Sequence, residues 1–99
     1  MKKVGDRVGA ICGKLSGNKC GFFGYGVYEG DFIPPPGVTI MGLDLNDAGI
    51  PNPKILLDNG KVVWGCECWW GSEEEIKKRL EGMEITMVDP DTYREECKA

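Results

Sequence analysis

The stretch KILLDNGKVVW, residues 54–64, limits the possible folds more than any other, because two apolar runs flank an Asn-Gly pair. Asn59-Gly60 suits a two-residue type I′ turn, whose central positions both take positive φ. A β-hairpin follows, with Leu57 opposite Val62, Leu56 opposite Val63 and Ile55 opposite Trp64. That register puts Ile55, Leu57, Val62 and Trp64 on one face, which is the expected core side of the pair.

Other short, glycine-punctuated runs extend the β reading. Arg7 to Leu15 alternates, with Val8, Ala10 and Cys12 on one parity, and Ser16-Gly17-Asn18 makes a turn. CGFFGYGVY then reads as a second strand, with Phe23, Tyr25 and Val27 pointing one way and Phe22, Gly24, Gly26 and Tyr28 the other. Its two glycines leave a bare strip where a backbone or a flat ring can approach. Three consecutive prolines, 34–36, remove backbone donors and make EGDFIPPPGV a stiff loop. Thr39–Leu45 is a further short strand, and 46–53 a turn-rich connection.

One helix interrupts the strands. In GSEEEIKKRLEG, Ser72 caps the start with Glu75 closing a capping box, and Gly82 ends the segment. Glu73, Glu74 and Glu75 precede Lys77, Lys78 and Arg79 by four residues, while Ile76, Leu80 and Met83 form a narrow apolar stripe. EITMV, 84–88, is one more strand, and Asp89-Pro90 opens a terminal turn or short helix. Ninety-nine residues suffice for a single domain spanning 1–99. The expected class is mainly β with one or two short helices (α+β), arranged as an SH3-like small barrel with the helix at one opening.

Composition narrows the functions. Histidine is absent, which removes the commonest general base and any Ser-His or Cys-His nucleophile pair. Glu29 and Asp31 are a carboxylate pair beside a glycine turn, read as solubilising acids rather than an acid-base couple, so no enzyme is expected. No apolar run reaches the length of a membrane span and no signal-peptide pattern follows Met1, so a cytoplasmic protein without membrane association is expected. Five cysteines in a reducing compartment are then free thiols or metal ligands in place of a disulfide framework. The formal charge is −4, but residues 1–28 carry five bases against Asp6 alone. The acidic whole argues against duplex nucleic acid, whereas the basic first quarter can hold one small anion.

WGCECWWG, residues 64–71, gathers all three tryptophans and two of the five cysteines. Cys66 and Cys68 would lie about 6.5–7 Å apart on one face of an extended strand. Cys12 and Cys20 flank the first hairpin, so a four-cysteine zinc site is conceivable, but no pair has C-x₂-C spacing. Glutamates around the cysteines would raise their pKa, against redox chemistry. A core role fits better: Trp64, Cys66 and Cys68 face inward and Glu67 outward, and because consecutive strand residues point to opposite sides, either the chain turns at Trp69-Trp70 or one of these two indoles is exposed. The exposed indole then marks a contact surface.

GYGVYEGD at 24–31 and NPKILLDNGKVVWGCECWWG at 52–71 resemble a group of small uncharacterised bacterial and phage proteins, a resemblance that covers most of the chain from Gly24 and implies no catalytic residues. In size, acidity and lack of catalytic residues the chain is also similar to phage-encoded sponge proteins, which counter defence systems such as Thoeris and CBASS by sequestering cyclic nucleotide or ADP-ribose-derived signals. With the residues, this makes the leading expectation a non-enzymatic, oligomeric protein, without cofactor or metal, that sequesters a small anionic, nucleotide-like ligand in the host cytoplasm. Phe22, Tyr25, Tyr28, Trp69 and Trp70 would stack on the ligand, while Arg7, Lys14 or Lys19 meets phosphate, Arg7 being preferred for its planar fork. The alternatives are a module that binds a host protein through its aromatic surface and proline-rich loop, and a small zinc-binding structural domain.

Overall fold

The computed structural model describes residues 3–98, with the side chains of 14–16 and 97–98 outside that description. The first hairpin joins β1 (Arg7–Ser16) to β2 (Lys19–Phe32) through Gly17-Asn18, close to expectation. Val8 and Ala10 are buried on one side of it. The alternation read into β2 fails midway. Ala10 pairs with Gly24 but Ile11 pairs with Phe22, so Phe23 is the extra residue of a β-bulge. The bulge brings Phe22 to the side of Tyr25, edge-to-face at 4.9 Å, and sends Phe23 into the other core against Tyr93.

β2 is long enough to serve two partners along its second edge. Its first part, Lys19–Phe22, pairs in parallel with β8 (Glu84–Met87). From Gly26 onward it pairs antiparallel with β5 (Asn52–Leu57). A Cβ on Gly26 would collide with the Leu56 carbonyl oxygen, so at that end the bare strip is filled by the protein's own backbone. β6 (Val62–Trp64) lies outside β5 and β7 (Trp69–Ser72) outside β1, giving the order β6-β5-β2-β1-β7. Among the described residues the end strands β6 and β7 do not pair, so the sheet is open.

The central hairpin forms one residue out of the expected register: Lys54 pairs with Trp64, Ile55 with Val63 and Leu56 with Val62. The loop has three residues, 58–60, in place of two. Gly60 has φ +88 and donates its N–H to the Leu57 carbonyl at 2.9 Å, while Lys61 N–H is taken by the Asn59 side chain. Only Gly60 in this loop takes positive φ, as in a type I turn followed by a glycine bulge. The slip puts Val63 with Ile55 and Leu57 in the main core and turns Val62 and Trp64 to the opposite face. Trp64 is still buried, but against Val38 and Leu45.

Those two residues come from the segment after the prolines. The single strand expected at 39–45 is folded in half, β3 (Thr39–Ile40) against β4 (Leu43–Asp44), with a fully exposed Met41 at φ +50 at its tip. The supposed connection then begins with α1 (Leu45–Ala48), capped by Asp44, whose carboxylate accepts N–H groups of Gly37, Asn46 and Asp47.

α2 (Glu73–Leu80) forms where expected, with Ser72 Oγ accepting the Glu75 N–H at 3.2 Å. Ile76 and Leu80 bury its narrow stripe on Ile11, Cys20 and Phe22. α3 (Pro90–Lys98) is a full helix, with the Asp89 carboxylate accepting the Thr92 N–H at 3.0 Å and Pro90 in the first turn. The described residues are therefore mainly β with three short helices. None of its described helices is long and apolar enough to cross a membrane.

Candidate functional site

The WGCECWWG segment is not one strand. After Trp64 a 3₁₀ turn, Gly65–Glu67, redirects the chain before β7 begins at Trp69. Glu67 holds this turn together. Its Oε1 accepts the Trp64 N–H at 2.9 Å, and its two oxygens accept Arg94 Nη2 and Nε at 2.7 and 2.6 Å. Arg94 Nη2 also donates to the Val62 carbonyl at 2.9 Å. Glu67 was expected outside, yet its side chain is only 7% exposed, because α3 delivers a cation 27 residues away that makes burial tolerable.

The cysteines divide between two cores. Cys66 packs with Trp64, Val38 and Leu45, and its N–H donates to Asn52 Oδ1 at 2.8 Å; Cys68 packs in the main core and donates its thiol to the Trp64 carbonyl at 3.4 Å. Burial, with Glu67 nearby, pushes both thiols above their ordinary pKa, Cys68 strongly, so both rest as neutral thiols. No group of three or more His, Cys, Asp or Glu among the described residues is placed to hold a metal ion.

The two final indoles separate as strand alternation requires. Trp70 faces the main core and lies over Tyr28, with centroids 5.3 Å apart and planes tilted by 30°. Trp69 faces outward and is 72% exposed.

The remaining residues expected to bind a ligand do not gather around Trp69. Arg7 is held by Asp58, through Nη1 and Nη2 at 2.6 and 2.8 Å, and by Glu73, through Nε at 3.0 Å. The fork chosen for phosphate is thus filled by two of the protein's own carboxylates, and the Asp58 carboxyl sits below its usual range because of it. Phe22 is 4% exposed and belongs to the α2-side core. Tyr25, half-buried, lies under Lys77 at 5.8 Å and shares with Phe22, Leu57 and Met87 an apolar groove of about 330 Å³. Tyr28 stacks on Trp70 and donates its hydroxyl to Asp31 at 2.7 Å. Glu29 turns instead to Lys54, 3.5 Å away. Lys19 is exposed at the start of β2, and the Lys14 side chain lies outside the described residues.

Trp69 instead lines a groove of about 340 Å³ with Ile11, Gly13, Cys20, Met83 and Arg79. The i,i+4 spacing pairs Arg79 with Glu75. Of the three expected i,i+4 pairs, Glu73 with Lys77 closes at 3.3 Å, while Arg79 has no carboxylate partner among the described residues. The available signal was its position three residues after Ile76, beside the helix's apolar stripe.

A third concavity, about 540 Å³, lies between the proline loop and α3 and is lined by Pro35, Pro36, Val38, Lys54, Lys61 and Arg94, with Asp91. Lys54 and Lys61 come from the β5–β6 hairpin, and Arg94 is brought to them by α3 from 33 residues further on than Lys61. No protein-family model, curated protein or solved structure matches this chain.

Proposed function

We propose that this chain is a non-enzymatic interaction module that binds a protein partner in the cytoplasm through the Trp69 groove, on a sheet that we read as an opened SH3-like barrel. The observation that carries this is a largely exposed indole above an apolar floor of Ile11, Cys20 and Met83, with Arg79, which has no carboxylate partner among the described residues, beside it. Tryptophan and arginine dominate binding hot spots because each offers large contact area with few rotamers or a rigid donor fork. The matching partner presents an apolar side chain to the floor and a carboxylate to Arg79.

A second reading, sequestration of a small anionic nucleotide-like signal in the manner of phage sponges, draws on the same pair: a base stacks on Trp69 while Arg79 meets phosphate. It needs a different phosphate ligand from Arg7, whose fork is taken. Trp69→Ala and Arg79→Ala separate the two. If the module reading holds, both variants lose a protein captured by the wild type, and native mass spectrometry of the wild type finds no retained nucleotide. An intact nucleotide released by denaturing the wild type, and missing from Trp69→Ala, would turn the conclusion to sequestration. Identical capture by wild type and both variants would remove the groove from the function altogether. The same spectra count subunits, and a monomer at micromolar concentration would oppose the expected homo-oligomer.

A further inference from the structure

The cleft between the proline loop and α3 has a different chemistry from the Trp69 groove. Its lining carries three cations, Lys54, Lys61 and Arg94, with Asp91 between two of them, while Glu29, Asp89 and Glu67 each pair with one of the three from outside the lining. Arg94 is pre-set: Nε and Nη2 are committed to Glu67 and to the Val62 carbonyl, which leaves Nη1 for Asp91 Oδ1 at 3.2 Å. The other oxygen of that carboxylate accepts Lys61 Nζ at 2.8 Å. One carboxylate therefore bridges a lysine and an arginine from different elements. Its side chain is 63% exposed, so the bridge is held weakly. Asp89 also approaches Lys61, at 3.6 Å, and Glu29 approaches Lys54, at 3.5 Å, both as exposed or half-exposed pairs.

We infer that this cleft is an anion site filled by the protein's own Asp91, and that its external occupant is the diphosphate group of a small phosphorylated molecule. A carboxylate brings one charge and two oxygens. A diphosphate brings more of both, so one phosphate can replace Asp91 between Lys61 and Arg94 while the second stays in the cleft that Lys54 also lines. Pro35, Pro36 and Val38 provide an apolar wall for the rest of the molecule, and the volume lies within the range of small-ligand pockets. The site shares no residue with the Trp69 groove, so neither inference depends on the other.

Inorganic pyrophosphate is the probe, titrated into the whole protein by calorimetry, with the amide signals of Gly37 and Gly60 followed by NMR and sulfate at matched ionic strength as the control. Wild type is expected to bind pyrophosphate more tightly than sulfate, and Asp91→Asn to bind it about fivefold more tightly than wild type, the worth of one exposed ion pair. A Lys54→Ala/Lys61→Ala double variant should lose most of the affinity, while Trp69→Ala keeps it. Unchanged affinity in Asp91→Asn, with near-UV circular dichroism still native, overturns the inference. So does a double variant that binds as wild type does, and this second arm stands even if Asp91→Asn loosens the start of α3.

Discussion

Trp69 and Trp70 are bonded neighbours on one short strand, yet one is a surface feature and the other a structural one. Trp70 lies on Tyr28 over the main core, while Trp69 stands in solvent above Ile11 and Met83. The difference teaches that residue type does not decide an indole's role here. The 3₁₀ turn at 65–67 sets which face each side chain reaches, and that turn depends on Glu67. A tight polar lock on the inner side makes an apolar offering on the outer side possible.

The largest expected effect comes from the lock. Glu67→Ala leaves Arg94 with only the longer contact to the exposed Asp91 carboxylate and the Trp64 N–H without its acceptor, so a loss of about 3 kcal/mol is expected by urea denaturation. The outward placement of Trp69 should also be lost, visible as a changed acrylamide quenching profile. Next come the indoles. Trp70→Ala should cost about 2–3 kcal/mol because it empties part of the core over Tyr28. Trp69→Ala should stay within about 0.5 kcal/mol of wild type. Equal losses from the two would erase the distinction between the faces.

The ion pairs at Arg7 give a smaller effect that depends on pH. The Asp58 carboxyl is held below its usual range by the Arg7 hydrogen bonds, and Glu73 is lowered by Lys77 and then by Arg7. Because the folded values are depressed, their stabilisation is complete above the unfolded carboxylate range, about pH 4, and fades as pH falls through the folded values. The urea midpoint of wild type should exceed that of Arg7→Gln at neutral pH, with the gap closing below about pH 4. A gap that widens on acidification would mean that Arg7 acts through something other than these two acids.

Local signals in the sequence were read well where local physics decides. The β1–β2 turn, the Ser72 cap, the Ile76–Leu80 stripe and the proline start of α3 all lie within a few residues of their cause. Readings failed where distant partners decide. Asn-Gly suits a two-residue turn in isolation, but the loop at 58–60 uses only Gly60 in positive φ, and the resulting one-residue slip exchanged Val63 and Trp64 between faces. The bulge at Phe23 has no marker in its own side chain and moves Phe22 away from the exposed set. Exposure of one indole from the Trp69-Trp70 pair was legible from alternation alone. Which one, and that Arg79 rather than Arg7 would stand beside it, required the turn and the helix to be placed in space.

The pairing of Glu67 with Arg94 also carries a lesson about truncation. Glu67 precedes the residue that neutralises it by 27 positions, so the central motif does not carry that charge within itself. Without Arg94, Glu67 gains more from water than from the interior, and the turn has no reason to set. A chain cut short of that arginine would therefore keep the turn unset and leave Trp69 without its fixed place.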